Sequence, residues 1–179
     1  MGAILLNAAH TAYSPGGVYK GVTEHGESLR LCRLLRESLL GLDKELQVKI
    51  TEGNDTVVAP DDLLFVFHKG GNMKNERKRG AVICVKETAS SEIQYRAYRL
   101  LCALCRRGLR FRGVHTLSEK NPFRFFINTP TENAYLVMAG FIESEEDTAH
   151  FGRYGSDLAY ELSEEIFSIY KEKINEDNT

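Results

Sequence analysis

Five large apolar side chains stand in a row at Leu63-Leu64-Phe65-Val66-Phe67, with no polar residue between them. A strand alternates its side chains between two faces, so a run without alternation describes a strand buried on both. Such a strand lies in the middle of a sheet covered above and below, which commits the chain to a layered fold. Ala81 to Val85 reads the same way, Ala3 to Ala8 is a third apolar run of strand length, and Leu46-Gln47-Val48-Lys49-Ile50 alternates like a half-buried strand.

Helical spacing fills the stretches between. From about Glu24 to Leu42, Leu29, Cys32, Leu35 and Leu39 recur on one stripe behind Thr23 as a candidate cap, with Arg30, Arg33, Arg36 and Glu37 on the other faces. Ile93, Ala97, Leu100, Leu101 and Leu104 mark a second helix, and Leu158, Leu162, Ile166 and Ile169 a last one. Phe123 to Ile127 and Tyr135 to Met138 are further strand candidates on either side of the Thr129-Pro130 turn. Strands alternating with helices predict an α/β sandwich around a mostly parallel sheet, with its ligand crevice at the carboxyl ends of the strands. A length of 179 residues suits one domain with a core of ordinary size, here residues 1–175, followed by an acidic tail at 176–179 expected to fray.

Composition closes off several function classes. A net charge of -2 and a pI near 6.2 give no general attraction to nucleic acid or anionic lipid, and no aromatics are interleaved with the bases to stack nucleobases. Local polyanion contact falls to Lys69, Lys74, Arg77, Lys78 and Arg79 and to Arg106, Arg107, Arg110 and Arg112, which otherwise read as a solvated loop and a charged helix end. No apolar run approaches the ~18 residues of a membrane span, so no membrane insertion is expected. The start has neither a basic region nor an apolar run before a cleavage site, so synthesis in the cytoplasm without a signal peptide is expected. Cys32, Cys84, Cys102 and Cys105 lie in apolar stretches and read as free thiols, because Cys102-x-x-Cys105 lacks the partner pair of a zinc knuckle.

Three residues carry the chemistry. His10 follows the first strand by two residues, His68 directly follows the most apolar strand, and Glu24 opens the first helix after a loop containing Ser14-Pro15-Gly16-Gly17. Both histidines therefore open onto one sheet edge, and the intervening loop is long enough to bring the carboxylate back to them. Two imidazoles and a carboxylate suit zinc at a hydrolytic site with a fourth position open. The plainer readings are packed histidines and an acid that favours the helix dipole. His25, His115 and His150 have no comparable placement and read as surface residues.

Leu5-Leu6-Asn7-Ala8-Ala9-His10, then Gly21-Val22-Thr23-Glu24, then Leu64-Phe65-Val66-Phe67-His68 resemble, in order and spacing, the zinc-dependent N-acetylmuramoyl-L-alanine amidases of bacterial autolysins and phage endolysins. Asn133 through Ile142 looks like that family's closing strand and the Gly-Phe turn beyond it. The resemblance runs from about Ala3 to the final helix. It implies a single-domain three-layer sandwich with a six-stranded central sheet, zinc held by His10, Glu24 and His68, and hydrolysis of the amide between N-acetylmuramic acid and L-alanine in peptidoglycan. Cell-wall lysis or remodelling after release from the cytoplasm is the role implied.

One departure matters. The family's catalytic glutamate stands two residues before the Gly-Phe pair, where this chain has Met138, and a thioether does not accept a proton from water. Losing a general base costs about 10²- to 10⁴-fold in rate. Glu143 is the nearest substitute acid, Glu132 is less well placed, and the polar sequence after the third ligand is altered to Lys69-Gly70-Gly71-Asn72. Three readings follow: an active zinc amidase of endolysin or sporulation type; an amidase-fold protein that keeps the zinc site and binds cell-wall material or a protein partner; and a zinc peptidase or amidase acting on another small amide.

Overall fold

The apolar run at 63–67 lies within a central strand in the computed structural model, which describes residues 2–70 and 78–177. In chain order the elements are β1 (Ile4–Ala8), β2 (Val18–Tyr19), β3 (Val22–Thr23), α1 (Glu24–Leu42), β4 (Val48–Glu52), β5 (Leu63–Gly70) and β6 (Ala81–Lys86). They continue with α2 (Ser91–Cys105), β7 (Phe111–Leu117), α3 (Arg124–Ile127), β8 (Ala134–Phe141) and α4 (Glu145–Asp177). Six strands form one sheet in the order β4-β1-β5-β8-β6-β7, while β2 and β3 make a separate two-residue hairpin.

The four strands from β4 to β8 are parallel, whereas β6 runs antiparallel to β8 and β7 follows β6. The ten residues from 71 to 80 explain this reversal. A parallel return requires a crossover of roughly a dozen residues or more, and the link between β5 and β6 is shorter.

The two sheet faces are covered unequally. Ile4, Leu6, Leu63, Phe65, Phe67, Tyr135 and Val137 pack under α1, α2 and α4, which form one continuous core with them. Leu5, Leu64, Val66 and Leu136 point the other way and meet Phe126 of α3 and the chain around it. Three long helices cover one side and a single helical turn with loops covers the other. The predicted sandwich is present, with one thin layer, and a thin layer leaves space above the strand ends.

Several elements differ from the sequence expectation. Phe123 to Ile127 is a turn of helix rather than a strand, because only Phe126 is buried and the amides of Ile127 and Asn128 bond back to Phe123 and Arg124 at 3.0 Å. The Arg- and Gly-rich segment before it contains β7, a largely exposed edge strand with no apolar alternation to announce it. The chain stays helical through Asp177, because buried Arg96 of α2 pairs with Glu172 at 3.1 Å and with Glu176. Residues 178–179 of the expected tail lie outside the described residues.

The described residues of the first basic stretch differ in exposure. Lys69 is buried with its ammonium 4.1 Å from the Phe151 ring centre, Arg79 pairs with Glu146, and Lys74 and Arg77 fall outside the described residues. In the second, Arg107 pairs with Glu161 at 2.6 Å and Arg112 lies over Phe141. No described helix is long and apolar enough to cross a membrane.

Burial pushes the Lys69 ammonium down to about 8, partly offset by Glu27 and Asp147. Between there and the ordinary lysine value the unfolded chain holds more protons, so this group makes the fold more stable as pH rises through that window. A Lys69→Met protein is expected to gain about 1–3 kcal/mol at pH 7. Urea unfolding at pH 7 and pH 10 checks both the gain and its shrinkage.

Candidate metal centre

The loop leaving β1 is shaped to meet the start of α1. His10 has φ 67, a left-handed conformation that costs a non-glycine residue roughly 1 kcal/mol and that concentrates at functional sites. Thr11 and Ser14 exchange backbone bonds at 3.2 and 3.1 Å and close the tip of the loop. Its carbonyls at Pro15 and Gly17 then accept from the amides of His25 and Glu24 at 3.0 and 2.9 Å. These amides at the helix start have no partner within the helix, so the loop and α1 complete each other. Thr23 caps the helix as expected, its Oγ1 accepting from the Gly26 amide at 3.0 Å.

His10, Glu24 and His68 converge. Glu24 Oε1 lies 2.8 Å from His68 Nδ1, and Glu24 Oε2 lies 3.2 Å from His10 Nε2 while accepting the Gly17 amide at 3.1 Å. The imidazole centres are 5.1 Å apart at 78°, and one donor atom from each residue lies within 4.8 Å of the others. Burial pushes the Glu24 carboxyl up, but the His68 imidazole, the Gly17 amide and His10 outweigh it and hold the group below its usual range. A buried, ionised carboxylate between two imidazoles is a donor set that fits zinc, with a backbone amide orienting one of its oxygens.

His10 and His68 line a cavity of about 680 Å³ together with Asn7, Asp55, Phe123 and Arg124. The Phe123 ring meets His68 edge-on at 5.3 Å between centres. A second hollow of about 420 Å³ shares Asn54, Arg124 and Phe125 with the first and extends towards Pro130. The site therefore sits where a ligand much larger than water has access.

Met138 pairs in register with His68. Residues in register on adjacent parallel strands face the same side about 4.8 Å apart, so the thioether stands next to His68. Glu143 lines a different hollow with Tyr19, Arg79 and Arg110. Glu132 precedes β8 at the end where Ala134 pairs with Leu64, the opposite end of the strands from His68. Neither acid lines the cavity.

Two contributors were not singled out in the sequence. His25, read there as a surface residue, is buried, its Nδ1 3.3 Å from the Ala9 carbonyl and its Nε2 3.2 Å from Glu52. The signal was its place on the stripe of Ser28, Cys32, Leu35 and Leu39. Asn7 is buried and shares its Nδ2 among the Gly53 carbonyl and the hydroxyls of Thr51 and Thr56 at 2.9–3.0 Å. A lone amide inside an apolar strand was its signal.

Zinc at a hundredfold excess over its dissociation constant is expected to stabilise the fold by about 2.7 kcal/mol, a rise of roughly 5–10 °C in Tm. His10→Ala is expected to abolish that rise in a thermal melt with and without zinc.

The architecture and the cluster together define an α/β domain carrying a candidate divalent-metal site beside an open cavity. Its fold is that of N-acetylmuramoyl-L-alanine amidase catalytic domains. The catalytic domain of CwlV, an amidase of this name from Bacillus (Paenibacillus) polymyxa var. colistinus, superposes with a TM-score of 0.75 at 18% identity, covering 96% of this chain and 99% of that one. An N-acetylmuramoyl-L-alanine amidase from Clostridium difficile 630 gives 0.75 at 15% identity over 95% and 97% of the two chains. The catalytic domain of an endolysin targeting Clostridia difficile gives 0.68 at 15% identity over 94% and 98%. No family model matches the chain, and no curated protein matches it at a significant level.

Proposed function

We propose that this protein is a zinc-dependent peptidoglycan amidase acting at the bacterial cell wall, cleaving the bond between N-acetylmuramic acid and L-alanine. The observation that carries the reading is the convergence of His10, Glu24 and His68, the two histidines lining a ligand-sized cavity, in a fold shared with amidases of that name.

His10, Glu24 and His68 would hold the zinc, which when bound supplies a Lewis acid to polarise the scissile carbonyl and to lower the pKa of water. The Gly17 amide fixes one Glu24 oxygen, so the carboxylate is oriented before any ligand arrives. Phe123 packs against the His68 ring and shields one flank of the site from bulk water. Hydrolysis further requires a group that takes a proton from water and returns one to the departing amine, and Met138 has no such capacity.

Position 138 favours a second reading, in which the site binds cell-wall material or a protein partner without cleavage. Purified protein loaded with zinc and incubated with purified peptidoglycan separates the two. Newly exposed L-alanine amino termini support the amidase; their absence, with zinc bound and peptidoglycan retained, supports the binder. Protein that takes up no zinc, and is indifferent to loss of His10 or His68, removes both.

A further inference from the structure

We propose that Asp55 is the proton acceptor for hydrolysis at this centre, the role that Met138 does not fill; this rests on the amidase reading above. Among the described residues, Asp55 is the one carboxylate that lines the cavity with His10 and His68, whereas Glu143 lines a separate hollow.

The loop that carries Asp55 is tied down on both sides. Asn7, on the sheet face of the cavity, donates to the Gly53 carbonyl at 2.9 Å and to the Thr56 hydroxyl at 2.9 Å, bracketing Asn54 and Asp55. The Gly53 amide donates to the Ala8 carbonyl at 3.0 Å, two residues before His10. Gly53 has φ 64, and a Cβ there would come within 2.8 Å of Thr11 Cγ2, so the loop lies directly against the segment carrying His10. Each anchor runs to the strand or loop that delivers His10, so the backbone on both sides of Asp55 is held against the segment that carries His10.

The step balances without any further reactant. Water oxygen bonds to the scissile carbonyl carbon as an Asp55 oxygen takes its proton. The C–N bond then breaks, and the proton passes from Asp55 to the departing L-alanine nitrogen. The carboxylate is regenerated, and the products are a free lactyl carboxylate and a free amine.

A double-substitution cycle tests this, read as alanine amino termini released and as zinc bound per chain. Asp55→Asn is expected to lower kcat by about 10²-fold or more with zinc content unchanged. Met138→Glu, which places a carboxylate on β8 beside His68, is expected to be active. In that background the loss on Asp55→Asn should shrink to less than about tenfold, because the strand acid now takes the proton. An equal loss in both backgrounds, loss of zinc from Asp55→Asn, or full activity of Asp55→Asn overturns the proposal. So does inactivation by Glu143→Gln with zinc retained. An inactive natural chain beside an active Met138→Glu variant removes Asp55 as the base and leaves the amidase scaffold standing. Zinc-loaded protein inactive in both forms overturns the amidase reading itself.

Discussion

Glu24→Ala is expected to weaken zinc binding by at least about 10²-fold. Protein zinc sites contribute of order 10 kcal/mol or more through three or four ligands, so one ligand accounts for about 3 kcal/mol. Glu24 does more than donate an oxygen, since it accepts from His68 at 2.8 Å and from the Gly17 amide at 3.1 Å and lies 3.2 Å from His10. Its removal leaves the loop amide and both imidazoles without their shared acceptor, which costs about 1–3 kcal/mol of stability even without metal. Glu24→Gln separates the two effects. It keeps the size and one acceptor but loses the charge, and is expected to keep stability within about 1 kcal/mol while losing zinc. Competition with a chromophoric chelator and urea unfolding give the two numbers, and unaltered zinc affinity in Glu24→Gln would sink the ligand assignment. Because its carboxyl is held below the usual range, Glu24 stabilises the fold above that range and loses this contribution as pH falls through its folded value. The metal-free natural chain should therefore lose more stability on acidification than Glu24→Gln.

Gly16→Ala is expected to weaken zinc binding by about 10- to 100-fold while leaving every ligand in place. An added Cβ would stand 2.6 Å from His10 Nε2 and 2.7 Å from Glu24 Oε2, closer than real contacts allow. Glu24 has little freedom to withdraw, since His68 and Gly17 hold both of its oxygens. The φ of +73 adds left-handed strain of about 1 kcal/mol for alanine. Gly21→Ala provides the control, because Gly21 has φ +81 and nothing within 4 Å of its Cβ position. Both variants should lose stability from strain, but only Gly16→Ala should lose zinc in titration calorimetry. Equal zinc affinity in the two would show that the loop does not shape the centre.

How much of this was legible follows from where the information is stored. Strands buried on both faces are written as apolar runs, so β5 and β6 were visible, and the stripe of α1 with its Thr23 cap placed Glu24 at a helix start. Edge strand β7 was invisible because its exposed residues carry no periodic demand. Lys69 looked like part of a basic surface because a single sequence does not show that β5 continues past His68 and turns that side chain inward against Phe151. Neither Asn7 nor Asp55 was linked to the site, since Asn7 reaches the loop that carries Asp55 only through bonds to Gly53 and Thr56, the latter across 49 positions.

The sequence by itself determined the layered α/β class, the strand ends that carry His10 and His68, the helix start that carries Glu24, and the methionine at 138. Each of these is a local pattern of burial, capping or identity along one segment. The tertiary structure decided that the three side chains meet, that Met138 pairs with His68, that Glu143 belongs to another hollow, and that Asp55 lines the cavity. The physical reason is that these relations depend on strand register and loop closure between distant segments, and no residue's own propensity encodes its cross-strand neighbour.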